Sequence, residues 1–145
     1  MKTIILCLLI LIIPFSLQAR DYATLSGETI TSEDIESQDK AILFFWTTWC
    51  PHCLSQMKTV ISEYQDLLDK GFTVYFINVQ ETTKKVAALK KRLKITSPII
   101  MDKAGFMAYR YRVYGVPAFI FLSSGSELDR TNFISLRILD KIYEE

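Results

Sequence analysis

The chain is expected to fold as an α/β domain with a mixed central sheet covered by helices on both faces, and three observations carry that expectation. Short apolar runs without polar alternation, Ala41 to Trp46 and Phe72 to Val79, have the pattern of strands buried on both sides. Segments whose apolar residues recur at helical spacing follow each of them. The C-terminal part then supplies a strand at Ala118 to Leu122, a Ser123-Ser124-Gly125-Ser126 loop, a returning partner at Leu128 to Phe133 and a closing helix from Ser135 to Tyr143. With 145 residues there is room for one such core.

The first residues read as an export signal rather than as part of that core. Met1-Lys2 gives a positive start, Thr3 to Ile13 is almost wholly aliphatic, Pro14 breaks the run and Ala19 offers a small residue for processing. The expectation is a signal peptide over residues 1–19 and one domain over residues 20–145. The alternative is an uncleaved anchor, the only arrangement that gives the chain a membrane contact, although the apolar stretch is short for a span. Either way the domain is expected in a periplasmic or other extracytoplasmic compartment.

Residues 20–40 are polar, with Gly27 between Leu25 and Thr29-Ile30 suggesting a short hairpin and Thr31-Ser32-Glu33-Asp34 a capped turn. Leu54, Met57, Val60, Ile61, Tyr64, Leu67 and Leu68 form one apolar stripe, so a single helix is expected from Pro51 to the Lys70-Gly71 stop. Thr82 or Thr83 can cap a helix through Leu93, Pro98 to Met101 reads as a short strand, and Gly105 to Val113 as a turn or two of helix. The lysines and arginine at 84, 85, 90, 91, 92 and 94 alternate with Val86, Ala87, Leu89 and Leu93, the pattern of a solvated amphipathic face. Without residues 1–19 the chain holds 16 basic and 16 acidic residues, so no global field recruits nucleic acid.

The chemistry sits in Cys50-Pro51-His52-Cys53, directly after the first buried strand. Removing residues 1–19 also removes Cys7 and leaves these as the only two cysteines; a three-residue separation would arise by chance about once in sixty trials. Two thiols so spaced at a helix start can close and open a disulfide without moving the backbone. A structural bridge is the alternative, but a ring this tight constrains the unfolded chain little. Cys50 is expected at the N-cap or first helical position, where unpaired N–H groups and the positive end of the dipole favour a thiolate. Cys53, a turn further in, should be better buried and resolve the mixed disulfide. His52, the single histidine, adds a donor or positive charge beside Cys50. A fall of about two pKa units there would favour the reduced form by ~2.7 kcal/mol and raise the reduction potential by about 60 mV. Zinc needs four ligands, and two thiols and one imidazole cannot supply them, so no metal and no organic cofactor is expected.

With these residues in hand the chain resembles the thioredoxin superfamily, most closely its exported TlpA/ResA-type thiol-disulfide oxidoreductases. The resemblance runs from about Tyr22 to the C-terminus. It rests on Phe45-Trp46-Thr47-Thr48-Trp49-Cys50-x-x-Cys53, on Asn78-Val79-Gln80-Glu81 followed by an αβ insertion and the Ser97 to Asp102 strand, and on Gly115-Val116-Pro117-Ala118. It implies that Pro117 is a cis-proline packed against the dithiol, with the Val116 backbone offered to an extended substrate segment. Trp46 and Trp49 are expected to shape the groove around the dithiol, with a place in the core as the alternative for Trp46. The Pro51-His52 pair and Val116 look like the strongly oxidising DsbA, whose large helical insertion this chain cannot hold. Two positions depart from the family pattern. Phe44 stands where many members carry a polar group beneath the second cysteine, and Gln56 offers no acid on the active-site helix.

The function expected is therefore an exported, monomeric thiol-disulfide oxidoreductase that exchanges disulfides with protein cysteines, is reset by a separate redox partner, and leans toward oxidation. A reductant, for example in cytochrome c maturation, and a redox-controlled binding module without turnover are the alternatives.

Overall fold

A computed structural model of the protein describes residues 20–143. The expected signal segment, residues 1–19 with Cys7, lies outside the described residues. Among those described, no helix is long and apolar enough to cross a membrane.

The elements follow one another as β1 (Asp21–Ala23), β2 (Thr29–Thr31), α1 (Ser32–Glu36), β3 (Ala41–Trp46), α2 (Pro51–Ser62), α3 (Tyr64–Asp69), β4 (Thr73–Val79), α4 (Thr83–Leu93), β5 (Ile99–Asp102), α5 (Phe106–Arg110), β6 (Ala118–Ser123), β7 (Ser126–Thr131) and α6 (Leu136–Tyr143). The main sheet has five strands in the order β5-β4-β3-β6-β7. Strands β3, β4 and β5 run parallel, and β6 and β7 are antiparallel to their neighbours. The sheet is thus mixed, as its sequence pattern implied.

Strand β3 lies at the centre, and all six of its side chains are buried. Alternation sends Ile42, Phe44 and Trp46 to one face and Ala41, Leu43 and Phe45 to the other. The first set packs with Met57, Val60, Val86, Leu89 and Leu139 from α2, α4 and α6. The second packs with Ile35 of α1 and Met107 of α5. The hairpin β1–β2 is stapled beyond β5 by a bridge between Thr24 and Ile100 and by a Leu25 N–H donating to the Ile99 carbonyl at 2.8 Å. Helix α1 carries the reciprocal cap expected of its start: the Thr31 hydroxyl accepts from the Asp34 N–H at 3.0 Å, and the Asp34 carboxylate accepts from the Thr31 N–H at 2.7 Å.

Two expectations are corrected. The helix expected to run unbroken to the Lys70-Gly71 stop divides at Glu63 (φ −98°, ψ 4°). The preceding Thr59-Val60-Ile61-Ser62 run is the weakest helix-forming stretch of the segment, because branching and a hydroxyl both oppose helical geometry. Beyond the break Leu67 is buried while Leu68 is exposed, so the apolar stripe does not continue straight through. The strand β7 begins at Ser126, not Leu128, and ends before Phe133. A two-residue turn explains the shift. Ser124 and Gly125 both have positive φ, 46° and 79°, as a tight hairpin of the primed type requires, so pairing restarts at once with Ser123 opposite Ser126.

Helix α6 is tied to the sheet by Tyr143, whose hydroxyl lies 2.8 Å from the Leu122 carbonyl and 3.2 Å from the Ala41 carbonyl, on neighbouring strands. Its ring meets Phe72 edge to face at 4.9 Å. Burial pushes the Tyr143 hydroxyl pKa well above its ordinary value, which keeps the donor protonated. Tyr143→Phe is expected to keep the ring contact and lower unfolding stability by about 1 kcal/mol, read as a lower midpoint in urea with an unchanged slope.

Candidate functional site

The C-terminal ends of the parallel strands β3 and β4 lie side by side, with Trp46 opposite Asn78, and the chain leaves β3 through Thr47, Thr48 and Trp49 before α2 begins. In open α/β sheets this end is where chemistry is placed, since loops converge there with helix N-termini. Cys50 is the N-cap of α2, with extended backbone (φ −90°, ψ 107°), and its sulfur accepts from the Cys53 N–H at 3.1 Å. Pro51 occupies the first helical position, where a missing N–H leaves nothing unsatisfied.

Cys50 and Cys53 are joined in a disulfide, with Cα atoms 5.2 Å apart. The two sulfurs are placed unequally. Cys53 is wholly buried, whereas Cys50 keeps 6% exposure. Cys50 Sγ also lies 3.8 Å from the Val116 carbonyl oxygen. In the disulfide that approach is only a contact; once reduced, the Cys50 thiol has an acceptor in place. The Val116–Pro117 peptide bond is cis. His52 is exposed on α2 and lines a hollow of about 440 Å³ with Gly115, Val116, Pro117 and Asn132. Its ring has no hydrogen-bond partner among the described residues.

The two tryptophans part company. Trp49 is 70% exposed at the rim, while Trp46 is wholly buried, in the same core cluster as both cysteines. Trp46 therefore supports the site from below and forms no wall of a groove, because β3 is the middle strand and helices cover its face. Phe44 shares that cluster and stacks on Phe119 with ring centroids 4.4 Å apart, so apolar packing fills the place at which the resemblance directed attention to a polar group. The Gln56 side chain accepts from the Ile134 N–H at 2.9 Å, tying α2 to the chain before α6. Among the described residues no group of three or more metal-ligating side chains is assembled.

Sequence reasoning missed the carboxylate that holds the presenting turn. Glu81, just beyond β4, accepts from the Thr48 N–H at 2.6 Å, from the Thr48 hydroxyl at 2.6 Å and from the Asn78 side-chain amide at 2.8 Å. Asn78 is wholly buried, and its amide also reaches the Trp46 carbonyl at 3.4 Å. Strand end, turn and carboxylate thus form one network directly before Cys50. Its only sequence signal is a buried Asn and a Glu three residues later, closing an otherwise apolar strand.

Fold and site together define a thioredoxin-like thiol-disulfide oxidoreductase. The chain belongs to the AhpC/TSA family, whose pattern it matches over residues 12–134. It is 31% identical over 114 residues to the sporulation thiol-disulfide oxidoreductase A of Bacillus subtilis, covering 72% of this chain and 67% of that one. It is 26% identical over 104 residues to the thiol-disulfide oxidoreductase ResA of Halalkalibacterium halodurans, covering 72% of this chain and 58% of the relative. Among solved structures, a secreted Mycobacterium tuberculosis disulfide oxidoreductase homologous to E. coli DsbE superposes with a TM-score of 0.72 at 21% identity, over 85% of this chain and 92% of that one, a likeness of fold.

The Glu81 network carries its own test. Glu81→Ala leaves the Thr48 N–H and the buried Asn78 amide without their acceptor, so a loss of about 2 kcal/mol in unfolding stability is expected, together with slower disulfide exchange. Glu81→Gln keeps one acceptor oxygen and should retain more than half of both, as measured by denaturation and by the rate of reaction with a small disulfide.

Proposed function

We propose that the protein exchanges disulfides with the cysteines of other proteins through Cys50 and Cys53, in an extracytoplasmic compartment, and that it is poised toward oxidation. One observation carries the reading: Cys50 lies at the rim beside the Val116 carbonyl while Cys53 is sealed beneath it. Only Cys50 can be reached by a visiting sulfur, and only Cys53 is placed to displace that visitor. The compartment is supported by the signal-like pattern of residues 1–19.

In the oxidising direction a substrate thiolate attacks Cys50 Sγ. The Cys50–Cys53 bond breaks, and its electron pair leaves on Cys53, which takes a proton. A second substrate thiolate then attacks the substrate sulfur of the mixed disulfide and releases Cys50 as a thiolate. The substrate has lost two electrons to the dithiol, and a redox partner must remove them before the next turn. The helix N-terminus stabilises the departing Cys50 thiolate, which favours the reduced protein and hence the oxidising direction. His52, exposed in the first turn of the same helix, adds a hydrogen-bond donor on that side of the dithiol. Val116 and Pro117, beside the smaller hollow, are the surface on which an extended segment is received. Trp49 flanks that surface from the turn, and Pro51 fixes the start of the helix. The site chemistry requires no metal or organic cofactor, and one copy of the chain supplies every group named.

Phe44 and Gln56, the two places that the resemblance singled out for assisting proton transfer from Cys53, supply no acid. The resolving step is therefore expected to depend on hydroxide or buffer more steeply than attack at Cys50.

The reading predicts that Cys50→Ser abolishes both insulin reduction and oxidative refolding of a reduced protein. Cys53→Ser should accumulate a mixed disulfide with substrate, visible by mass spectrometry. Equilibration with glutathione should give a reduction potential nearer the periplasmic oxidants, about −120 mV, than thioredoxin, about −270 mV. A value at the thioredoxin end would replace the oxidising role with a reducing one.

A further inference from the structure

The cis-proline loop separates two hollows. The smaller one holds His52 and Pro117. A larger one, of about 1040 Å³, shares Gly115 and Val116 with it and is otherwise lined by residues that include Trp49 and those of helix α5. A cavity this size lies at the upper end of what small ligands fill.

Its walls combine two features that water does not explain. Trp49, Tyr109 and Tyr114 line it with 70%, 85% and 95% of their surfaces exposed, a concentration of large aromatic side chains beside the reactive cysteine. Such clusters mark surfaces that are covered when a partner binds. The charges that line it are all positive, Arg110 and Arg112, with no carboxylate among them. Arg110 is already paired with Glu36. The Arg112 guanidinium has no carboxylate partner among the described residues.

Arg112 is also held in place. It occupies the left-handed position after α5 (φ 53°), where the Arg112 N–H donates to the Tyr109 carbonyl at 3.1 Å and the Val113 N–H to the Ala108 carbonyl at 2.8 Å. The Arg112 carbonyl in turn accepts from Arg130 at 3.3 Å, and Arg130 is anchored by Glu127. A side chain of four rotatable bonds is thereby presented from a fixed backbone, which lowers the cost of ordering it on a ligand.

We propose that this larger hollow receives the residues next to the reacting cysteine of the substrate, and that it selects polypeptides in which that cysteine is flanked by a large apolar residue and an aspartate or glutamate. The aromatic walls take the apolar side chain, and Arg112 takes the carboxylate. The inference rests on the reading of the protein as a disulfide exchanger and adds its substrate class.

The test uses the reduced protein and short peptides, each carrying one cysteine as a mixed disulfide with mercaptoethanol. Cys50 attacks the peptide sulfur and mercaptoethanol leaves as a thiol; Cys53 then attacks Cys50 and releases the peptide thiol. The dithiol loses two electrons and two protons, and one mixed disulfide becomes two thiols. Two peptides share a leucine beside the cysteine and differ only in a flanking aspartate or lysine. The readout is the ratio of their rate constants, followed by tryptophan fluorescence, because a ratio cancels any general change in thiol reactivity.

A five- to tenfold preference for the aspartate peptide, shrinking as salt is raised, is the expected result, of about the size one exposed ion pair and one avoided repulsion supply. Arg112→Gln should bring the ratio close to one, and Arg112→Glu should invert it. A wild-type ratio near one overturns the inference, as does a preference that survives both substitutions. The symmetric disulfide of mercaptoethanol, which has no flanking residues, separates the two levels of the argument. If it oxidises the reduced protein while the peptides are not discriminated, only the substrate class falls. If it does not react, disulfide exchange itself is lost, and the substrate class with it.

Discussion

One carboxylate governs the geometry of the dithiol. Glu81 reaches from the end of β4 to the turn that follows β3, satisfies both the N–H and the hydroxyl of Thr48, and is itself braced by the buried Asn78 amide. The turn would otherwise be a three-residue link between a rigid strand and a helix, free to set Cys50 at several heights above the sheet. With it clamped, the N-cap position of Cys50, its approach to Val116 and the burial of Cys53 become consequences of the parallel pairing of β3 with β4. Hydrogen bonds to an ionised acceptor are among the stronger kinds, which suits a clamp that must hold while the neighbouring disulfide opens and closes.

The core around this clamp is arranged for asymmetry. Cys53 is buried in the same core cluster as Trp46, Phe44 and Met57, so a charged sulfur is costly there, whereas the outer sulfur sits at a helix mouth that favours charge. On the proposed function, exchange at the rim and resolution from within would then differ in rate and in pH dependence for a physical reason. The absence of a polar group at Phe44 sharpens that difference.

Much of this was legible in the chain. Strands β3, β4 and β6 announced themselves because apolar runs of six, four and five residues without polar alternation have few other ways to be buried, and the cysteine pair declared its chemistry through spacing and position. What could not be read depended on contacts distant in sequence or on turn geometry. Thr48 and Glu81 are 33 residues apart, and nothing local ties one to the other. The break at Glu63 and the early start of β7 turn on single backbone angles. Trp46 and Trp49 look alike in sequence, but only the place of β3 in the middle of the sheet sends one inward and leaves the other in water. Arg112 reads as one more helix-end cation until the fold sets it in the wall of a hollow.

The margins of the sheet bear on what company such a protein can keep. On the proposed function, protein substrates pair with the backbone at Val116, and any other bare strand would compete for them. The β5 margin is shielded by the β1–β2 hairpin, and the β7 margin carries Glu127, Asp129 and Arg130. Covered or charged margins discourage accidental strand addition. Under that proposal the margins would steer a substrate to the one place where its visit is chemically useful.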